Sequence, residues 1–213
     1  MIHPHTRIHY INDQMGYGVF ATQFIPEGTI TYIKDSLELE ISPEAYAGYP
    51  PALQDTVEKY SFIDDRGYRI VSWDFAKYVN HCCSCNTMST GYGFEIAIRD
   101  IQPGEQLTDE YGLFNLEYEM PLDCHIPGCR RKITPFDLDI YFEQWDSTVR
   151  TALRKLQEVD QPLSYLIDAE TADDLQAFLQ DNEVYRSVYS LKNVHAIGQA
   201  APLNLNGIPG GAQ

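Results

Sequence analysis

Seven consecutive residues, Asn80-His81-Cys82-Cys83-Ser84-Cys85-Asn86, bring an imidazole, three thiols and two carboxamides into one short stretch. Imidazole and thiol side chains bind soft metals and titrate near neutrality, so this is where chemistry is to be looked for first. Eighteen residues further on, Gly104-Glu105-Gln106-Leu107-Thr108-Asp109-Glu110-Tyr111 reads as a turn and a short strand that delivers one tyrosine. Upstream, Met15-Gly16-Tyr17-Gly18 offers backbone without a Cβ, which lets main-chain groups come close to a ligand. All five cysteines lie between positions 82 and 129. Such clustering favours a metal site or redox chemistry over the dispersed disulfide framework of a secreted protein. A nucleophilic Cys–His pair is the weaker reading of residues 81–83, because sequence neighbours seldom meet in proton-transfer geometry.

The elements that position these segments are mostly strands. Arg7 to Ile11 and Val19 to Thr22 are extended, with the glycine stretch breaking the chain between them. Ile25-Pro26-Glu27-Gly28 is a turn, and Thr29 to Ile33 is rich in β-branched and aromatic residues. The pattern returns as Phe94 to Ile98, the turn Ile101-Gln102-Pro103-Gly104, and Gln106 to Tyr111. Between the two, Ser42-Pro43-Glu44 starts one helix, Leu53 to Tyr60 forms a second, and Tyr68 to Trp73 is extended. Phe75 to Val79 is short, aromatic and expected to be buried. Beyond Arg131 the periodicity turns helical. Phe136, Ile140, Val149, Leu153 and Leu156 mark a long amphipathic helix over 136–159, and shorter helices follow at 163–167 and 175–179, with Thr171 as a start. Residues 196–213 hold four glycines, two prolines and no charged residue, and are expected to be disordered.

The chain has 213 residues, 44% hydrophobic and 12% aromatic, which suits a folded domain with an appendage. Its formal charge of −16 argues against a sequence-independent grip on nucleic acid, which needs clustered Lys and Arg, and suits a basic protein partner. No segment approaches the roughly 18 apolar residues that span a bilayer, and the N-terminus lacks a signal-peptide layout. The expectation is a cytoplasmic protein, or a nuclear one in a eukaryote, with no membrane contact.

In order and wording, these segments resemble the SET-domain protein lysine methyltransferases. The family commonly reads Arg-Phe-Ile-Asn-His-Ser-Cys-x-Pro-Asn where this chain has Lys77-Tyr78-Val79-Asn80-His81-Cys82-Cys83-Ser84-Cys85-Asn86. The departures are Cys82 for serine and Cys85 for proline. The longest match is Ala97 through Tyr111. The resemblance implies S-adenosylmethionine bound by Met15, Gly16, Tyr17, Gly18, Lys77, Asn80, His81 and Tyr111, with Tyr111 catalytic, and methyl transfer to a protein lysine. It places Asp109 where relatives carry Phe or Tyr. Cys124-His125-Ile126-Pro127-Gly128-Cys129-Arg130 resembles the family's post-SET segment, implying zinc on Cys83, Cys124 and Cys129, with Cys85 or His125 completing the set. Leu122 stands where the family's first post-SET cysteine is expected.

The resulting expectation is an α+β fold, mainly β with short helices, of the SET β-clip type. Residues 1–120 form the SET domain, 121–134 the cysteine segment, 135–195 a helical C-terminal extension that completes the core, and 196–213 the tail. Two other readings remain open: a catalytically inactive SET-like module that binds protein, and a structural zinc module.

Overall fold

Two turns built on the same grammar meet at the centre of the molecule. Ile25 and Ile101 form an antiparallel bridge, with Ile25 N donating to Ile101 O (3.0 Å) and Ile101 N to Ile25 O (2.8 Å). The glycines that close the turns, Gly28 and Gly104, have φ of +92° and +83°, a conformation nearly closed to residues with a Cβ. The computed structural model describes residues 1–122, 126–181 and 184–193.

The chain runs through β1 (Thr6–Asn12), β2 (Gly16–Ala21), β3 (Ile30–Ile33), β4 (Leu39–Ile41), α1 (Pro43–Ala47), α2 (Pro51–Tyr60), β5 (Ser61–Ile63) and β6 (Arg69–Val71). It continues with β7 (Asn80–His81), β8 (Thr87–Ser89), β9 (Phe94–Ala97), β10 (Gln106–Asp109), β11 (Met120–Pro121), β12 (Lys132–Ile133), α3 (Asp137–Leu153) and α4 (Ala169–Gln180). The strands form small sheets in the orders β1-β2-β10-β7, β3-β9-β8, β4-β6-β5 and β11-β12. This is the α+β, mainly sheet-built architecture expected of a SET-type fold.

Local rules account for most boundaries. Ser42 caps α1 by accepting from Ala45 N at 3.2 Å, with Pro43 in the first turn. Several boundaries differ from the sequence reading. The helix α2, for one, begins at Pro51 and not at Leu53, and residues 163–167 hold only a 3-10 turn, Ser164–Leu166. The strand β2 begins at Gly16, so the glycines belong to the strand and the chain break lies just before it. Phe75–Tyr78 is a 3-10 turn that is half-buried and not core. The long helix α3 stops at Leu153, after which Lys155 and Leu156 continue in tight turns. The helix α4 starts at Asp168, whose carboxylate accepts from Thr171 N at 2.9 Å, so Asp168 is the cap and Thr171 lies in the first turn.

The helices complete the core. Leu138, Trp145, Val149, Ala152 and Leu153 of α3 and Leu175 and Phe178 of α4 share one buried cluster with Ile30, Ile33, Phe94, Ile96 and Leu113. Val149 and Leu153 are fully buried, each contributing about 1.5–3 kcal/mol by transfer from water. Gly28 explains how α3 comes so close. A Cβ there would sit 2.7 Å from Lys155 Cβ and 3.1 Å from Ala152 O. Gln161 locks the junction, accepting from Ile30 N (2.9 Å) and donating to Gly28 O (2.7 Å). On the far side Asp146 accepts from Tyr185 Oη, Ser187 Oγ and Val188 N, which ties residues 185–188 to α3. The tail at 196–213 lies outside the described residues.

Candidate active site

The strand β10 carries the site. It pairs antiparallel with β2 (Leu107↔Val19) and parallel with β7 (Thr108↔Asn80, Asp109↔His81), so the glycine strand, Asn80-His81 and the approach to Tyr111 lie side by side. Asn80 Nδ2 donates to Tyr17 O at 3.0 Å, closing the gap between β7 and β2. Gly18 gives these side chains room, since a Cβ would meet the tips of Gln106 (Nε2, 2.7 Å), Ile11 (Cδ1, 2.7 Å) and Asn80 (Nδ2, 3.2 Å), which would have to shift. Gly16 is different. Its φ is +73°, and a Cβ would meet nothing within 4 Å, so its backbone faces open space. Met15 and Tyr17 are about half exposed on either side of it.

Tyr111 does not end the strand, as the sequence reading had it, but opens a 3-10 turn over Tyr111–Leu113. Glu110 caps that turn, accepting from Gly112 N at 2.8 Å. Tyr111 Oη donates to Val79 O at 2.6 Å, and its ring lies 5.5 Å from His81 and 5.3 Å from Phe114. Burial, then the charges of Asp109 and Glu95, push the phenol well above its usual range, so it is an un-ionised donor at neutral pH.

His81 is fixed by several contacts. Nδ1 lies 3.0 Å from Asp109 O and 3.2 Å from Tyr111 N, and Nε2 lies 3.4 Å from Cys83 Sγ. Burial and the nearby Arg130 guanidinium lower its pKa to about 4. The ring is therefore neutral and carries one proton. On Nδ1 that proton serves Asp109 O; on Nε2 it faces Cys83, leaving Nδ1 to accept from Tyr111 N–H. Behind the ring, Arg130 reaches Glu110 (2.5 Å) and Asp137 (3.0 Å), and its guanidinium packs on Tyr141 and Trp145.

A cavity of about 300 Å³ opens on the other side of Tyr111. Val79, Asp109, Glu95, Tyr32 and Phe114 are among its walls. Lys77 also lines it, but its ammonium is held by the carbonyls of Ser72 (3.2 Å), Trp73 (3.5 Å) and Asp74 (2.9 Å). A chain of edge-to-face rings, Tyr10–Tyr17–Tyr78–Tyr60, runs from the glycine strand to the cavity wall.

A family model for the SET domain matches residues 16–112, the span from the first glycine of β2 to the residue after Tyr111. The chain contains a SET domain. No curated protein matches it. SET domains are typically protein lysine methyltransferases, and in this one the three matching segments converge as described.

The cysteines fall into different surroundings. Cys85 is buried in the main core, its thiol pushed well above the usual range by burial, which suits packing and not ligation. Cys83 and Cys129 lie 3.8 Å apart, sulfur to sulfur. Cys124 and His125 lie outside the described residues. Among the described residues no group of three or more His, Cys, Asp or Glu side chains is arranged to hold a metal. Among them too, no helix is long and apolar enough to cross a membrane.

Sequence reasoning missed Glu95 and the pairing of Glu110 with Arg130. The signal for Glu95 was present. On a strand, Glu95 must face away from Phe94 and Ile96, toward the side that carries the site. Nothing local foretold that Arg130 would cross 20 residues to Glu110.

Proposed function

We propose that the chain transfers a methyl group from S-adenosylmethionine to the ε-amine of a lysine in a protein substrate. The observation that carries this reading is Tyr111. Its un-ionised hydroxyl is held on Val79 O, between neutral His81 and a cavity with aromatic walls.

The residues fit the cofactor. The backbone at Gly16 is open to an approaching ligand, and Gln106 Nε2, beside Gly18, is a buried donor without an acceptor. Met15, Gly16, Tyr17, Gly18, Asn80 and His81 would hold it along β2 and β7, and Lys77 would serve from the 3-10 turn by releasing its carbonyls. When bound, the cofactor supplies an electrophilic methyl on a sulfonium.

The chain's own residues handle the amine. A lysine ammonium has a pKa near 10.4, so releasing its proton at pH 7 costs about 4.6 kcal/mol, roughly 3.4 units at 1.36 kcal/mol each. Burial among Tyr32, Phe62 and Phe114 disfavours the charged form and lowers that cost. Tyr111 and the carbonyl of Val79 orient the amine for direct displacement, with no covalent intermediate. Zinc, if bound, would be structural. Cys83 and Cys129 match the roughly 3.8 Å separation of two thiolates at about 2.3 Å on a tetrahedral ion, and Cys124 is the third proposed ligand.

The formal charge of −16 supports a basic protein substrate over nucleic acid. The test is incubation with methyl-labelled cofactor and a cell lysate, followed by mass spectrometry of the labelled protein. Label on lysine is the expected result. Calorimetry showing no cofactor binding would instead support the inactive interaction module.

A further inference from the structure

One group at the end of the cavity is chemically incomplete. Asp109 is 1% exposed and lines the cavity beside Tyr111. Its Oδ1 accepts from Glu110 N at 2.7 Å, whereas Oδ2 meets no amide, hydroxyl or cationic donor, and the side chain that hydrogen-bonds to Asp109 is the Glu95 carboxyl. A buried acceptor without a strong donor is costly to keep, so its retention calls for a ligand.

Glu95 lines the same cavity and hydrogen-bonds to Asp109. Two carboxyls in contact in a buried site do not both ionise; they share one proton and titrate as a pair. Burial is the first cause that raises both, and for Glu95 the neighbouring Asp109 charge raises it further. Hydrogen bonds from Glu95 and from Glu110 N favour the ionised form of Asp109, so the proton rests on Glu95 and the pair carries one negative charge.

Among the described residues no cation forms an ion pair with either carboxyl. Lys59 also lines the cavity, with its ammonium 5.3 Å from the centre of the Tyr60 ring, and the N-terminal ammonium acts on Glu95 only as a minor influence. Lys77 is held on three carbonyls, and Arg69 on Glu58 (2.7 Å) and Glu117 (2.5 Å). Arg130 is engaged by Glu110 and Asp137, and the N-terminal ammonium by Asp35 (3.1 Å) and Glu38 (3.6 Å). The remaining titratable neighbours stay protonated or are turned away. The phenols of Tyr32 and Tyr111 and the thiol of Cys85 are all pushed up by burial, and Tyr111 Oη donates to Val79 O. Tyr32 Oη donates to Glu38.

We infer that Asp109, backed by Glu95, is the receptor for the ε-ammonium of the substrate lysine and the group that takes its proton, an inference that rests on the methyltransferase reading. A buried carboxylate backed only by another carboxyl, on the wall of a cavity with aromatic side chains, suits a slender point-charge donor. A guanidinium needs two coplanar acceptors, and here Asp109 already accepts from Glu110 N and from Glu95. The step balances within the site. One N–H bond of the ammonium breaks and its proton forms an O–H bond on Asp109 Oδ2. The electron pair stays on nitrogen, free to attack the methyl carbon, and ammonium and carboxylate both become neutral. The protein needs no exchange with bulk water before the displacement.

The direct probe is n-butylammonium, followed by ligand-observed NMR on the full chain with 1-pentanol as the neutral comparator. Wild-type protein binds butylammonium at least tenfold better than pentanol, and Asp109→Asn removes that preference. The preference is also lost as pH falls through the titration of the pair, which needs no variant. In Glu95→Gln the amide permanently donates to Asp109, so the pH at which binding is half lost drops by a unit or more. Equal affinity for amine and alcohol, or a preference that survives Asp109→Asn, overturns the inference. With a lysine substrate, the loss of kcat/KM in Asp109→Asn shrinks as pH rises from 7 to 9.5, because solvent then supplies the free amine. A deficit that does not change with pH contradicts proton acceptance. Butylammonium held at Asp109 in a protein that binds no S-adenosylmethionine overturns the methyltransferase reading alone. Lysine labelling at undiminished kcat/KM in Asp109→Asn overturns the receptor alone.

Discussion

Asp109 and Glu110 are adjacent at the end of β10, yet their carboxylates live in opposite surroundings. Glu110 points toward α3, where it accepts from Gly112 N and is paired with Arg130, itself stacked on Tyr141 and Trp145. Asp109 lines the cavity, where its side-chain partner is another carboxyl, Glu95, in place of a cation. The paired side holds His81 and the Tyr111 turn in place; the unpaired side is held ready for something that arrives. Satisfied buried charge marks the scaffold of this site, and unsatisfied buried charge marks its working face.

Removing the scaffold's cation gives the largest effect. Arg130→Met leaves Glu110 buried and uncompensated, and destabilises the fold by about 3 kcal/mol. The Glu110 carboxyl is raised by burial even with Arg130 present, and loss of the guanidinium raises it further. Such a group favours the fold below its usual range and costs stability as pH rises through its folded pKa. The Arg130→Met deficit, read by urea unfolding, is therefore larger at pH 8 than at pH 5. Equal deficits would show that the pair is not the cause.

The working face responds with the opposite sign. Asp109→Asn relieves an ionised, under-satisfied group, so the variant is more stable than wild type by about 1–3 kcal/mol at pH 8. The gain shrinks on acidification, because the raised pair is then protonated in the wild type. A loss of stability at pH 8 would place Asp109 with the scaffold.

The smallest effect concerns two buried imidazoles, His81 at the site and His3 ahead of β1. His81 and His3 both have their pKa lowered to about 4, principally by burial. The folded state thus binds fewer protons than the unfolded chain between about pH 6.5 and 4. The stability these rings contribute is complete above that window and is lost as pH falls through it. By NMR, both imidazoles remain neutral at pH 5.5; a ring that titrates near 6.5 is not held as described.

How much of this could be read beforehand varied with the range of the interaction. Asn80-His81 and Tyr111 stood out through the resemblance of their segments to the SET family, and the turns through local chemistry, since Pro and Gly meet at both. The paired turns at Ile25–Gly28 and Ile101–Gly104 were seen as alike, but not that they bridge each other. Helical periodicity located α3, yet not its end at Leu153, which is set by its close passage over Gly28. The Asp109–Glu95 contact and the reach of Arg130 to Glu110 join residues 14 and 20 apart, and no local pattern encodes them. Lys77 was expected to face the cofactor, and its three backbone carbonyls depend on how the 72–74 loop closes.

The central claim is that Tyr111 works on a methyl acceptor and is not simply a core tyrosine. Turnover with labelled S-adenosylmethionine and an identified lysine substrate, wild type against Tyr111→Phe, tests it most directly. Loss of the one hydroxyl should cut kcat by about 100-fold or more, in line with removal of a single preorganised donor, while cofactor affinity changes by less than about threefold. Near-normal kcat in the phenylalanine variant would contradict the account.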